Sequence, residues 1–376
     1  MKYKKLFTPG PTPIPERVLA KMSEPIFHHR TDEFKILLNR IEKKLQTVFC
    51  TKNPVYILTS SGSGAMEAAV VNLFRKGDKA LTIETGKFGQ RWGELCLANG
   101  IPVVRHQIEW GATPQPDEVK TWLTADGDFK AVFLTHSETS TGAALPLQEI
   151  AKVIKKNSSA LIIVDGITSV SALPLKMDDW ELDLVISASQ KGFMCPPGLA
   201  FVACSEKAQT AINNSDLPRY YFDLRKYAQA LESDFTPFTP ATTLLSVLDE
   251  ALTMMTEEGL HSIWQRHQKL ATGTRAAMRA LGLELLAKNP SNALTAVKIP
   301  KALREKNILQ LLAEQGFIVA GGQCKLKDQI LRISHLGYYN ENDIIALIRA
   351  LEDVLSRSGW EYPHHAGVTA FKNHCR

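Results

Sequence analysis

A chain of 376 residues with 44% hydrophobic side chains can bury a large core, enough for two domains or for one large domain with an appendage. Its formal charge of +5 is small for that size, and Lys and Arg are interspersed with Asp and Glu, which excludes the basic footprint of a nucleic-acid binder. Apolar runs such as residues 161–164 fall far short of the ~20 residues that cross a membrane.

The start, Met1 to Lys5 and then Pro9-Gly10-Pro11, has no apolar leader pattern. The six cysteines (50, 96, 195, 204, 324 and 375) form no Cys-x-x-Cys pair. A cytoplasmic protein with free thiols, and without a structural zinc or iron–sulfur centre, is therefore expected.

Prolines at 9, 11, 13 and 15 make residues 1–20 an extended arm. From Asp32, apolar residues at 34, 37, 38, 41, 45 and 48 have the spacing of an amphipathic helix opened by Thr31 or Asp32. Strand-like and helix-like segments then alternate. Strands are expected at 55–59, 80–84, 102–106, 131–135, 161–165, 184–187 and 199–204, with helices at 65–74, 88–98 and 147–155. This alternation predicts an α/β fold whose mainly parallel sheet binds ligands at the carboxyl ends of its strands.

Residues 214–240, rich in aromatics and prolines, read as a loop excursion. A helical stretch at 244–281 follows, broken near Gly259. Strand 295–299, helix 308–315, strand 330–334 and helix 344–355 form a smaller α+β unit. The expected plan is an arm (1–20), a large domain (21–250), a small C-terminal domain (251–355) and an irregular tail (356–376). The tail histidines 364, 365 and 374 read as solvated side chains in preference to metal ligands.

Several segments carry chemistry. Ser60-Ser61-Gly62-Ser63-Gly64 lies between a strand and a helix, where unpaired N–H groups and hydroxyls suit a phosphate; a plain tight turn fits equally well. It is neither a P-loop nor a dinucleotide fingerprint, since it lacks the Gly-Lys-Ser/Thr ending and the third glycine. Residues 135–142, Thr-His-Ser-Glu-Thr-Ser-Thr-Gly, follow a strand and offer hydroxyls to a phenolate oxygen or cap a turn. His136 and Ser137 lack the elbow of a serine hydrolase.

Asp165 closes the apolar run 161–164. It suits a pyridine nitrogen, whose protonation makes the ring an electron sink. Bonding to loop amides and a magnesium role are the alternatives. Lys191 follows the apolar strand 184–187 and precedes Gly192. Poor solvation there favours a neutral amine able to form a Schiff base with an aldehyde. Lysine, aspartate and glycine turn together read as a pyridoxal phosphate site. Arg332, flanked by β-formers, suits a substrate carboxylate or a structural ion pair.

Taken in order, Pro9-Gly10-Pro11, Ser61 to Gly64, Gly86-Lys87-Phe88-Gly89-Gln90-Arg91, Glu138 to Gly142, Val164-Asp165, Ser189-Gln190-Lys191 and Leu331-Arg332-Ile333 resemble the class V aminotransferases. The closest likeness is to the alanine–glyoxylate and serine–glyoxylate (or serine–pyruvate) group, and it runs to about residue 355. The resemblance implies the fold type I architecture of pyridoxal phosphate enzymes, as a homodimer with shared active sites.

It also implies roles. Lys191 matches the Schiff-base lysine and Asp165 the pyridine partner. Phe88 takes the place of the stacked aromatic and Thr139 that of the hydroxyl near the phenolic oxygen. Ser61, Gly62, Ser63, Gly64, Ile167 and Gln190 complete the cofactor set. Arg332 binds the substrate carboxylate beside Gly10. Residues 235–240 match the segment lent by a neighbouring subunit, with Thr239 toward the phosphate and phenylalanines where some relatives have a tyrosine.

The implied reaction moves an amino group from alanine or serine to glyoxylate or pyruvate by a ping-pong mechanism. Alternatives are a ureidoglycine–glyoxylate aminotransferase, a cysteine desulfurase (with Cys324 as its thiol) or a lyase. A nucleotide-binding α/β protein and a fold-retaining protein without catalysis are more distant ones. Some members of the group are labelled as a soluble hydrogenase subunit; hydrogen chemistry needs a metal cluster, for which scattered cysteines offer no ligand set.

Overall fold

In the computed structural model, residues 4–125 and 127–375 are described. The main sheet has seven strands, in the order Val55–Ser60, Gly198–Cys204, Leu184–Ala188, Leu161–Asp165, Ala131–Thr135, Ala80–Glu84 and Val103–Gln107. Gly198–Cys204 runs antiparallel to both its neighbours, and the remaining pairings are parallel. The sheet is thus mainly parallel, as the alternation predicts.

Its central strands read as continuous apolar runs because both faces are covered. In Leu161–Asp165, Ile162 and Val164 join one buried cluster while Leu161 and Ile163 join the cluster on the opposite face. Truncating any of these to Ala costs roughly 2–5 kcal/mol. A helix of the predicted spacing, Asp32–Phe49, packs on the first face; Thr31 caps it by accepting from the Phe34 N–H.

A second sheet of four strands has the order Lys5–Phe7, Phe317–Gly321, Ile330–Ser334 and Leu294–Lys298. Its first strand comes from the arm, so that segment is not simply extended coil: Lys5–Phe7 pairs in parallel with Phe317–Gly321. The arm also holds a short helix, Glu16–Ala20, which starts directly after Pro15, where a missing N–H is harmless.

Two further expectations need correction. Residues 214–240 contain the helix Leu224–Leu231, whose start is fixed by the Asp223 carboxylate accepting from the Arg225 N–H. The tail is not irregular either, because Ala366–His374 is a helix. Phe371 and Val368 bury its apolar face. Glu352 holds its start by accepting from the N–H groups of Gly367 and Val368 at 2.8 and 3.3 Å. Residues 1–3, 126 and 376 lie outside the described residues.

Candidate active site

The strands ending at Ser60, Glu84, Thr135, Asp165 and Ala188 all finish on the same edge of the main sheet, and the loops beyond them enclose a cavity of about 130 Å³. Ser61, Gly62 and Ser63 contribute from the first turn, Phe88 and Arg91 from the helix Lys87–Ala98, and Ser137 and Thr139 from the polar loop. Asp165, Ile167, Thr168, Gln190 and Lys191 complete the lining. Most of the expected site residues, scattered through the sequence, therefore meet in one place.

Asp165 is 4% exposed and one carboxylate oxygen accepts the Ile167 N–H at 2.9 Å. Burial pushes its carboxyl up to about 7, with Glu138 adding to the rise; the Ile167 N–H, Arg91 and Lys191 oppose it. Lys191 donates from Nζ to the Pro9 carbonyl at 2.6 Å. Burial lowers its ammonium to about 8, against the pull of Asp165 and with help from Arg332 and Arg91. The pair thus sits near neutrality, a condition in which one group can hold a proton and the other lack it.

Gly10 is pressed against this lysine. Its φ is +143°, and a Cβ there would lie 2.3 Å from Lys191 Nζ. A side chain at residue 10 would displace the amine, which is why the arm passes the site as Pro-Gly-Pro.

Arg332 is buried beside the cavity, held against Thr139 of its lining. Its Nη1 donates to the Thr139 carbonyl at 2.9 Å and its Nε to the Gly321 carbonyl at 2.8 Å. Burial lowers its pKa while Glu138 raises it. Two expected residues stand apart from the cavity. Gly64 packs on Ser60 and Phe222 and donates its N–H to the Ser61 carbonyl. Thr239 is solvent-exposed and does not line the cavity. Cys324 is likewise exposed and does not line it.

Sequence reasoning assigned no role to Arg91, which lines the cavity, donates to Ser63 Oγ at 2.9 Å and lies 4.9 Å from the Phe88 ring centre. The signal was its position one helical turn after Phe88. Glu138, fully buried just behind Phe88, was also missed as an individual residue. Among the described residues, no three His, Cys, Asp or Glu side chains gather to hold a metal ion.

Residues 5–347 match the family described as Aminotransferase class-V. A soluble hydrogenase small subunit from Synechococcus sp. is 44% identical to this chain, over 97% of it and 96% of the relative. A serine–glyoxylate aminotransferase from Methylorubrum extorquens is 33% identical over 99% of this chain and 96% of its own. Among solved structures, an alanine–glyoxylate aminotransferase from Nostoc sp. superposes with a TM-score of 0.90 at 30% identity, covering 94% of this chain and 96% of that one. With its lysine, aspartate and arginine in the places just described, the chain belongs to the class-V aminotransferases of fold type I, and pyridoxal 5'-phosphate is its cofactor.

Proposed function

We propose that this enzyme transfers the amino group of a small amino acid, serine or alanine, to glyoxylate or pyruvate in two half-reactions at one site. The observation that carries this reading is the convergence of Lys191, Asp165 and the Ser61–Ser63 turn on one cavity beside a buried arginine. The names of the similar proteins support the donor and acceptor classes.

The residues fit the cofactor. Gln190 Oε1 is buried without a hydrogen-bond partner, and the Ser61 hydroxyl makes no capping bond although the residue stands at the start of the helix Gly62–Leu73. The Ser61 hydroxyl can donate to a phosphate at this helix N-terminus, while the Gln190 oxygen, itself an acceptor, is open to a donor on the bound molecule. Asp165 would hold the ring nitrogen, Phe88 the ring face and Thr139 the phenolic side. When bound, pyridoxal phosphate supplies an aldehyde that condenses with amines and a ring that withdraws electrons from the substrate Cα.

The chain's own groups do the rest. Lys191 Nζ, readily neutral, would take the proton from the substrate Cα and hand it to the carbon that carries the cofactor's aldehyde, ending neutral again. Asp165, as a carboxylate, would hold a proton on the cofactor's ring nitrogen. Arg332 draws the substrate carboxylate toward the Thr139 loop and fixes which Cα bond faces the lysine.

The same reading includes a homodimer in a cytoplasmic setting. Leu19, Met22, Ile26 and Ile36, all from the first part of the chain, expose large apolar side chains, Ile26 to 75%. Covering them is a role for a second copy, and the resemblance assigns Thr239 to the phosphate of the neighbouring subunit. The six cysteines are unpaired, and a reducing compartment would keep them so.

A half-reaction screen tests the assignment. Serine, alanine, aspartate, ureidoglycine and cysteine are each mixed with the holoenzyme while the cofactor absorbance is followed, then glyoxylate or pyruvate is added. Fast spectral conversion by serine or alanine, reversed by the oxo acid, is expected. Sulfide release from cysteine as the only fast reaction would overturn the reading in favour of a desulfurase.

A further inference from the structure

We propose that Glu138 is a positioning residue which, through one buried carboxylate, sets both the aromatic wall of the cofactor cavity and the arginine subsite beside it. The proposal rests on the roles given above to Phe88 and Arg332.

The helix Lys87–Ala98 starts after Gly86 with no side-chain cap of its own. Its leading N–H groups need acceptors from elsewhere. Glu138, in a loop distant in sequence, provides them. One carboxylate oxygen accepts from the N–H groups of Phe88 and Gly89 at 3.0 and 2.9 Å. The other accepts from the N–H and the hydroxyl of Ser140 at 3.0 and 2.6 Å. Ser140 Oγ in turn accepts the Lys87 N–H at 3.0 Å.

A negative charge at a helix N-terminus is stabilising, and four donors satisfy a carboxylate more fully than any neutral side chain. The approach is close enough to dictate residue 86. A Cβ on Gly86 would lie 2.4 Å from Ser140 Oγ and 2.5 Å from Glu138 Cγ.

The helix held this way carries Phe88 and Arg91 into the cavity. On the other side of Glu138, its carbonyl accepts from the N–H groups of Thr141 and Gly142 at 3.2 and 2.8 Å, which fixes the turn. Thr139, the next residue, lines the cavity and receives Arg332 through its carbonyl. Glu138 also opposes the loss of charge on Arg332 in its buried surroundings. Moving this one carboxylate therefore moves the ring wall and the carboxylate-binding arginine together.

The test compares Glu138→Ala, Glu138→Gln, Ser140→Ala and Phe88→Leu. Apo-proteins are titrated with pyridoxal 5'-phosphate by absorbance and visible circular dichroism, and KM and kcat are measured with serine and glyoxylate. Glu138→Ala should weaken cofactor binding about 10–100-fold, change the dichroism of the bound cofactor, and raise KM by more than it lowers kcat. Glu138→Gln, which keeps an oxygen for the Phe88 and Gly89 amides but turns an NH2 toward the Ser140 N–H, should give a cofactor Kd between those of the parent and Glu138→Ala.

If Glu138→Ala does not fold, Ser140→Ala carries the test with an expected weakening of about 3–10-fold. A folded Glu138→Ala or Ser140→Ala protein with unchanged cofactor Kd, dichroism and KM would overturn the proposal. Phe88→Leu separates the two levels. Unchanged cofactor binding in that variant removes Phe88 from the site, while a raised KM in Glu138→Ala would still support the arginine arm.

Discussion

The cavity and the C-terminal tail each bury a carboxylate, and they use it in opposite ways. Beside the tail, Glu352 of the helix Glu341–Arg357 is 7% exposed, and one oxygen accepts the Gly367 and Val368 N–H groups of the helix Ala366–His374 while the other lies 3.9 Å from His365 Nδ1. In the cavity, Asp165 is also buried, but among the described residues its carboxylate receives one hydrogen bond, from the Ile167 N–H, and it lines the cavity. A buried carboxylate bonded to the backbone is architecture. One that is desolvated and faces a cavity with a lysine is poised for a ligand. Residue type does not distinguish the two; the disposition of their donors does.

The largest expected effect falls on the cavity side. Asp165→Asn keeps the shape and removes the charge, and should lower kcat by roughly 10²–10³-fold with the protein still folded. A variant within a few-fold of the parent would place Asp165 with Glu352, as a structural acid. Arg332→Lys comes next. It keeps the charge but loses the planar fork, and kcat/KM for carboxylate substrates should fall about 100-fold. Unchanged kinetics would confine Arg332 to its two backbone carbonyls.

The acid–base pair predicts a pH signature in the apo-protein. Asp165 is raised from 3.8 to about 7, so the folded state holds its proton more tightly. That contribution to stability is complete below the unfolded value and is lost as pH rises through about 7. Lys191 is lowered from 10.5 to about 8, so its contribution is present above the unfolded value and is lost as pH falls through about 8. The two give a shallow stability minimum near pH 7–8, and Asp165→Asn should remove its acidic limb, a change of about 2–4 °C in Tm between pH 5 and 7. A Tm profile unaltered by the substitution would contradict the assignment.

The smallest effect on catalysis belongs to the tail. Glu352→Ala should cost about 1–3 kcal/mol by urea unfolding and speed amide exchange in residues 366–374, with kcat unchanged. A large loss of activity would erase the contrast between the regions.

Much of this was legible in the sequence because the signals are local. Thr31 before a 3.6-residue apolar repeat marks the helix Asp32–Phe49, and four apolar residues before an acid mark the strand Leu161–Asp165. What escaped depends on distant partners. Lys5–Phe7 is a strand because Phe317–Gly321 lies beside it, and the tail helix is held by Glu352 from the preceding helix Glu341–Arg357. Glu138 escaped for the same reason. Its importance lies in the Phe88 and Gly89 amides, which no spacing rule connects to it.

The central claim is that a single amine, Lys191 Nζ, carries the cofactor, and reductive trapping tests it most directly. The holoenzyme is treated with borohydride, digested, and the peptides are weighed by mass spectrometry. The added mass of the reduced cofactor is predicted on the peptide containing Lys191, and none should be found in Lys191→Ala. Cofactor mass on another lysine of the parent protein, with Lys191 unmodified, would contradict the account.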